Sequence, residues 1–241
     1  MDIYVINLDR SQDRMLEFRR LNSHIPGIHR FSAVDGNTID RQYLVETNVI
    51  AQNLPYTNGA IGCALSHLFF WEAAISQKTA LTVCEDDSIF HKAFAELAPS
   101  LLRTLPTHWD LVLWGWNFDS ILLFDLIPGV SPCLATFNQD QMRIGAMDFQ
   151  SSAISPKAFR LFRAFGTVCY TISPQGASRL LNRSLPLRPL TVSVPMINPA
   201  FPNNGIDIVM NAAYPDLNAY VSVPPLVLTK NEHSISTVQS G

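Results

Sequence analysis

The 241-residue sequence predicts a single α/β domain with a mostly parallel sheet flanked by helices, and three observations carry that expectation. Short apolar and β-branched runs alternate along the chain with segments of helical periodicity, as in a chain that repeatedly crosses one sheet. Several of those runs are continuously apolar, which suits strands covered on both faces. They end in polar residues, and ligands of open α/β sheets gather at the carboxyl ends of strands.

Each element follows from local chemistry. Asp2-Ile3-Tyr4-Val5-Ile6-Asn7-Leu8 reads as the first buried strand, and Asp9-Arg10-Ser11 as a polar turn. Ser11 can cap a helix running to about Asn22, with Met15, Phe18 and Leu21 on its apolar stripe. Pro26-Gly27 breaks the chain before a second strand, Arg30 to Val34, closed by Asp35-Gly36. Ile61, Leu65, Leu68, Trp71 and Ile75 recur at helical spacing, so the stretch from about Gly59 to Gln77 is a helix with Thr57 or Asn58 near its start. Thr79 to Cys84 is a third strand, ending in Glu85-Asp86-Asp87. A helix weakened at Pro99 is expected over Ile89 to Leu105, then a strand over Asp110 to Trp116.

From Asn117 to Phe165 the pattern is poorer. Ile121 to Ile127 and Cys133 to Phe137 are apolar pieces between turns, and Lys157 to Phe165 reads as a helix. Thr167 to Ser173 is a strand, Pro174 to Leu181 a helix with proline in its first turn, and Ile206 to Ala213 another helix. Pro186, Pro189, Pro195, Pro199 and Pro202 make the intervening stretch loop-like. No internal repeat or linker divides the chain into domains.

Composition narrows the function classes. With 47% hydrophobic and 15% charged residues, the chain is neither disordered nor a fibre. A net charge of -3 and the lack of any Lys/Arg block argue against a nucleic acid partner. Cys63, Cys84, Cys133 and Cys169 lie far apart in apolar settings, which fits buried free thiols in a reducing compartment. The N-terminus lacks a basic region followed by a cleavable apolar stretch, and no uninterrupted apolar run reaches the length of a membrane span. The resulting expectation is a cytoplasmic protein, with peripheral contact at a membrane left open by its positive mean hydropathy.

Glu85-Asp86-Asp87 is the most informative feature, because adjacent carboxylates repel unless hydrogen-bonded, protonated or neutralised by a cation. Hard oxygen ligands favour magnesium, manganese or calcium, and alternation lets Glu85 and Asp87 address one ion while Asp86 points elsewhere. A solvated turn capping the next helix is the other reading. Asn7, Asp9, Arg10 and Arg14 bring polar and basic groups to the first strand end, where either an anionic ligand or a surface ion pair fits. The small residues from Gly59 to Ser66 permit nucleotide approach or close helix packing. His67 on an apolar helix is a structural histidine rather than a base for Ser66. Asp207 is either an N-terminal helix acid or a base aimed at a sugar hydroxyl.

In order, these motifs resemble the family 25 glycosyltransferases, which include bacterial lipopolysaccharide galactosyltransferases and relatives of the collagen galactosyltransferases. Val5-Ile6-Asn7-Leu8-Asp9-Arg10-Ser11 with Asp13-Arg14 is similar to the opening signature, and Ala33-Val34-Asp35-Gly36 to the second element. Ile61 to His67 resembles the third and Glu85-Asp86-Asp87 the fourth; Tyr170 to Ser173 with Gly176, Ala177, Leu180 and Leu181 resembles a later strand-helix element, and Asp207 a late acid. The sequence departs from the pattern at Ala60, often glutamate in relatives, at Cys84, usually aliphatic, and at Gly205-Ile206, which stands in place of Pro-Val.

The resemblance implies a GT-A-like, Rossmann-type fold in a single domain over 1-241, with a nucleotide-sugar half over about 1-116 and an acceptor half over about 117-241. It implies a uridine diphosphate galactose or glucose donor, manganese or magnesium held by Glu85 and Asp87, and inversion at the sugar carbon. Asn7, Arg10, Arg14, Asp35 and Ser66 are then candidates for nucleotide contacts, and Asp207 for the base. A glycan or lipid-linked acceptor such as lipooligosaccharide, and a place at the inner membrane, follow from the bacterial relatives. A catalytically silent binding module and a metal-dependent phosphohydrolase are the alternatives.

Overall fold

A computed structural model describes residues 1–198 and 200–230, so Pro199 lies outside the described residues. The first unit is β1 (Ile3–Asn7), α1 (Gln12–Leu21) and β2 (Ile28–Ser32), two residues earlier than the pattern predicts. Ser11 holds the N-cap position without a side-chain cap bond. A 3-10 turn (Gly36–Thr38) and a short helix the sequence reading did not place, α2 (Arg41–Glu46), lead to α3 (Asn58–Gln77). Thr57 caps α3, its hydroxyl accepting the Ala60 N–H at 3.0 Å.

β3 (Leu81–Glu85) runs into the acidic triplet, and β4 (Ser88–Phe90) follows at once. The helix expected from Ile89 therefore begins later, as α4 (Phe94–Thr104) with Pro99 inside it. Next come β5 (Leu111–Gly115), the hairpin β6 (Ile121–Ile127) and β7 (Ser131–Thr136), α5 (Gln139–Phe149), β8 (Lys157–Ala164) and β9 (Cys169–Ile172). The chain ends through α6 (Pro174–Ser184), the short strands β10 (Thr191–Val192) and β11 (Phe201–Pro202), α7 (Ile206–Ala213), β12 (Ala219–Val223) and β13 (Val227–Thr229). α5 is another element the sequence reading did not place.

Lys157 to Phe165 is a strand, not the helix that its spacing predicts. β8 pairs with β12 and with β6, and its register slips against β6 between Leu123 and Phe124, so Phe162 is the extra residue. A bulge of one residue breaks the two-residue alternation, and Phe159, Phe162 and Phe165 then imitate helical spacing.

The central sheet has nine strands in the order β2-β1-β3-β9-β5-β12-β8-β6-β7. Strands β2, β1, β3, β5, β12 and β6 run one way, while β9, β8 and β7 oppose them. The α/β expectation holds, with the predominant direction broken by β9 in the middle. Because β9 and β12 flank β5, the stretches before and after residue 117 share one sheet.

Both faces are covered. Leu111 and Leu113 of β5 join Ile61, Ala64, Leu68 and Trp71 of α3 and Leu180 of α6 on one side. Val112 and Trp114 join Met15 and Phe18 of α1 and Phe94 of α4 on the other. By length and composition α3 is apolar enough to cross a membrane, which corrects the reading of the sequence by uninterrupted runs. Here it is a core helix: Ile61, Ala64, Trp71 and Ala74 are fully buried. All four cysteines are free thiols, with Cys84 and Cys169 buried and facing each other across β3 and β9.

Candidate active site

The carboxyl ends of β1, β2, β3 and β5 lie along one edge of the sheet, and β9, running the other way, brings its preceding residues Gly166, Thr167 and Val168 to that edge. Thr167 Oγ1 donates to Glu85 Oε1, and the Gly166 N–H donates to Asp207 Oδ2 at 3.1 Å. One dipeptide thus joins the acid ending β3 to the acid beginning α7. Consecutive Cα atoms are about 3.8 Å apart, so the path through the dipeptide and its two hydrogen bonds keeps the carboxylates within about 13 Å of each other. Burial, then the charges of Glu85 and Asp207, push the thiol of Cys63 on α3 up. Gly166 has φ +86°, which favours glycine, and the Asn117 side chain occupies the space where a β-carbon would stand.

Burial, then the charge of Asp87, pushes Glu85 up to about 7. Burial also raises Asp87, with Arg14 and a Thr229 hydrogen bond opposing the effect. Asp87 Oδ1 is buried without a hydrogen-bond partner. Among the described residues no three His, Cys, Asp or Glu side chains are grouped to enclose a metal ion unaided. Two half-buried, mutually repelling carboxylates with an unsatisfied buried oxygen nevertheless suit a hard divalent cation that draws its other ligands from phosphate and water. Asp87 and Asp86 also line a cavity of about 370 Å³ beneath α1, with Arg14, Phe18 and Lys230.

The pH dependence of stability follows from Glu85. Between its ordinary value of 4.5 and about 7 the folded protein retains a proton that the unfolded chain has released, so stability falls as pH rises through this window. The cost is complete above it. Glu85→Gln is expected to flatten this fall and to raise the thermal midpoint of metal-free protein at pH ~8 by a few degrees, read by calorimetry across pH.

Asp207 occupies the first turn of α7, where its own N–H, that of Ile208 and that of Gly166 favour the carboxylate. Burial outweighs them and raises it above the usual carboxylate range. By position it is a helix acid, and its burial raises its affinity for a proton.

Asp86 does point elsewhere, and it accounts for two other predicted residues. Arg14 Nε donates to Asp86 Oδ1 at 2.8 Å, and Asn7 Nδ2 donates to Asp86 Oδ2 at 2.6 Å. Asn7, 2% exposed, also donates to the Ser11 carbonyl at 3.0 Å and accepts from Arg30 Nε at 2.8 Å. Asn7 and Arg14 therefore lock β1 and α1 onto the acidic turn, where nucleotide contacts are expected from the sequence. Arg10 and Asp35 pair with each other at the partly exposed ends of neighbouring segments, and that pair lowers Asp35.

Ser66 is fully buried, which corrects its assignment as a nucleotide contact. Its hydroxyl donates to the Gly62 carbonyl at 2.8 Å and accepts the Val34 N–H at 3.0 Å, so both its capacities are used in seating the loop on α3. The small residues of this helix serve packing: a β-carbon on Gly62 would press into the Val34 carbonyl. Gly62→Ala is expected to cost about 1–3 kcal/mol by overpacking, measured by urea denaturation, and to disturb the loop carrying Asp35. His67 is structural, as its setting predicts. Its Nδ1 lies 2.9 Å from the Tyr170 hydroxyl, and burial drops it to about 3.

Residues 1–196 match the glycosyltransferase family 25 (LPS biosynthesis protein) family. The chain belongs to glycosyltransferase family 25. It is 32% identical over 126 residues to a glycosyltransferase 25 family member of Aedes aegypti, covering 47% of this chain and 21% of that protein. It is 28% identical over 127 residues to procollagen galactosyltransferase 1-A of Xenopus laevis, again 47% and 21%. Against procollagen galactosyltransferase 2 of Homo sapiens the figures are 29% over 127 residues, 47% and 20%. The matched stretch is thus about a fifth of each of these relatives.

Membership directs attention to residues that sequence reasoning missed. Gly166 and Thr167 carry no motif of their own, and a Gly-Thr pair before a strand is unremarkable until two acids are seen on it. Arg30, which holds Asn7 and pairs with Asp9, offered only its place in a predicted strand.

Proposed function

We propose that the chain is a metal-dependent inverting hexosyltransferase that moves galactose from a uridine diphosphate sugar to a hydroxyl of a glycan such as lipooligosaccharide. The observation that carries the reading is the bridge from Glu85 through Thr167 and Gly166 to Asp207. It holds an acid suited to a cation close to an acid suited to proton removal, and single displacement needs both. The family and its galactosyltransferase relatives support the same reading.

Glu85 and Asp87 would hold manganese or magnesium, and a bound cation would stabilise the negative charge that develops on the departing diphosphate. The remaining work falls to the chain. Asp207 takes the proton of the acceptor hydroxyl as its oxygen bonds to the anomeric carbon. The bond from that carbon to the phosphate oxygen breaks, and its electron pair leaves with uridine diphosphate. The raised affinity of Asp207 for a proton brings it nearer to the working pH of a general base. Gly166 and the first turn of α7 keep its carboxylate in place. Arg14, paired with Asp86, keeps the acidic turn from adding a third uncompensated charge.

Thermal-shift titration with uridine diphosphate galactose and glucose, with and without manganese, tests the reading, paired with an assay for released uridine diphosphate. A metal-dependent shift with slow nucleotide release is expected. Binding without release would instead indicate a silent module, release of inorganic phosphate from simple esters a phosphohydrolase, and no response to either donor would end the proposal.

A further inference from the structure

The stretch after β5 carries three aromatic residues that the proposed chemistry leaves unused. Trp116 and Phe118 stack with centroids 5.2 Å apart and planes 10° from parallel. Phe137, just beyond β7, closes on Phe118 at 4.5 Å and on Trp116 at 5.6 Å. Trp116 is 1% exposed and forms the rigid back of this group, while Phe118 and Phe137 are half-buried. The Trp116 Nε1–H is buried without a hydrogen-bond partner, a polar demand that the described residues leave unmet.

The group is tied to the proposed base. The Asn117 N–H, between Trp116 and Phe118, donates to the Phe165 carbonyl at 2.9 Å, and the next residue, Gly166, donates to Asp207. The Asn117 side chain packs against Gly166, and the charge of Asp119 reaches Asp207. The aromatic group therefore adjoins the Gly166–Asp207 contact that holds the proposed base.

We infer that Phe118 and Phe137, backed by Trp116, form the platform on which the terminal hexopyranose of the acceptor stacks. A pyranose presents one face of C–H groups and a rim of hydroxyls. The apolar face matches an aromatic surface, and the rim is left to polar groups such as Asp119. This inference rests on the transferase reading and names the acceptor class: a sugar ring, in preference to a hydroxylated peptide side chain. It also gives the β6-β7 hairpin a role, because its Ile121–Thr136 pairing brings Phe137 back to Phe118.

Saturation-transfer NMR on the full chain tests it with methyl β-D-galactopyranoside, methyl β-D-glucopyranoside and the methyl glycoside of N-acetylglucosamine. At least one is expected to receive saturation at its ring C–H protons. Phe118→Leu and Phe137→Leu should each weaken that binding about fivefold to tenfold, and Phe118→Tyr should restore it. Uridine diphosphate sugar binding should not change in any variant, and the leucine variants should stay folded with a thermal midpoint only a few degrees lower. No saturation from any glycoside, equal saturation in the leucine variants, or transfer to a hydroxylysine peptide without glycoside binding overturns the platform. Each of those results leaves donor binding to judge the transferase reading separately.

Discussion

Asp207→Asn is expected to lower the turnover number by about 10²–10⁴-fold, the range for loss of a general base, while donor affinity stays at the parent value. Asparagine keeps the shape of the side chain and an oxygen that can accept the Gly166 N–H, so the bridge to Thr167 survives and the nearby carboxylate site is not disturbed. What it loses is the ability to accept a proton. Single-turnover transfer at saturating donor measures the effect, and unimpaired turnover would remove Asp207 from the reaction. Because burial raises Asp207, the acidic limb of the rate profile should also lie above the pH at which an ordinary aspartate titrates.

Asp87→Ala is expected to remove the manganese dependence of donor binding and to weaken donor affinity by at least about tenfold to a hundredfold. Even partners that only support a ligand cost that much in metal affinity, so a direct ligand should cost no less. The variant should still fold. Burial disfavours the charge of Asp87 despite Arg14 and Thr229, one of its oxygens is unpartnered, and its removal relieves repulsion with Glu85. Calorimetric titration of uridine diphosphate galactose at several manganese concentrations separates the outcomes. Metal-dependent binding equal to the parent would exclude Asp87.

The two variants fail differently, and that difference is informative. Loss of transfer in Asp207→Asn with intact metal-dependent binding places the defect after donor capture. Loss of donor binding in Asp87→Ala places it before. Similar defects in both would mean that the Gly166-Thr167 bridge transmits structural damage from one acid to the other. A Thr167→Val variant, which cannot donate to Glu85, would then reproduce them.

Periodicity and end chemistry were sufficient for β1, α3, β3 and α7, because a strand of consecutive apolar residues or a stripe at helical spacing records burial directly in residue order. Thr57 marks its helix start for the same local reason, a side-chain oxygen placed to accept an early N–H, and Ser173, read only as a strand end, does the same for α6. The acidic triplet announced that unlike environments had to be found for three adjacent carboxylates. Asp86 found Arg14, Glu85 found Thr167, and Asp87 was left with an unsatisfied oxygen. Alternation along the strand end set Asp86 apart in the sequence, but the partners were invisible there, since they are far away along the chain.

Other features depend on how distant segments meet. The bulge at Phe162 turned a strand into a false helical pattern, and the insertion of β9 between β3 and β5 is a long-range pairing that no window of residues records. In this chain Ser66 and Gly62 serve packing, which became clear only when Val34 was seen against them. The candidate site residues were legible in order along the chain, because charge and polarity at strand ends are local properties. Their assignment to roles was not, because a carboxylate becomes a base, an ion's ligand or a latch according to its burial and to the groups that folding brings beside it.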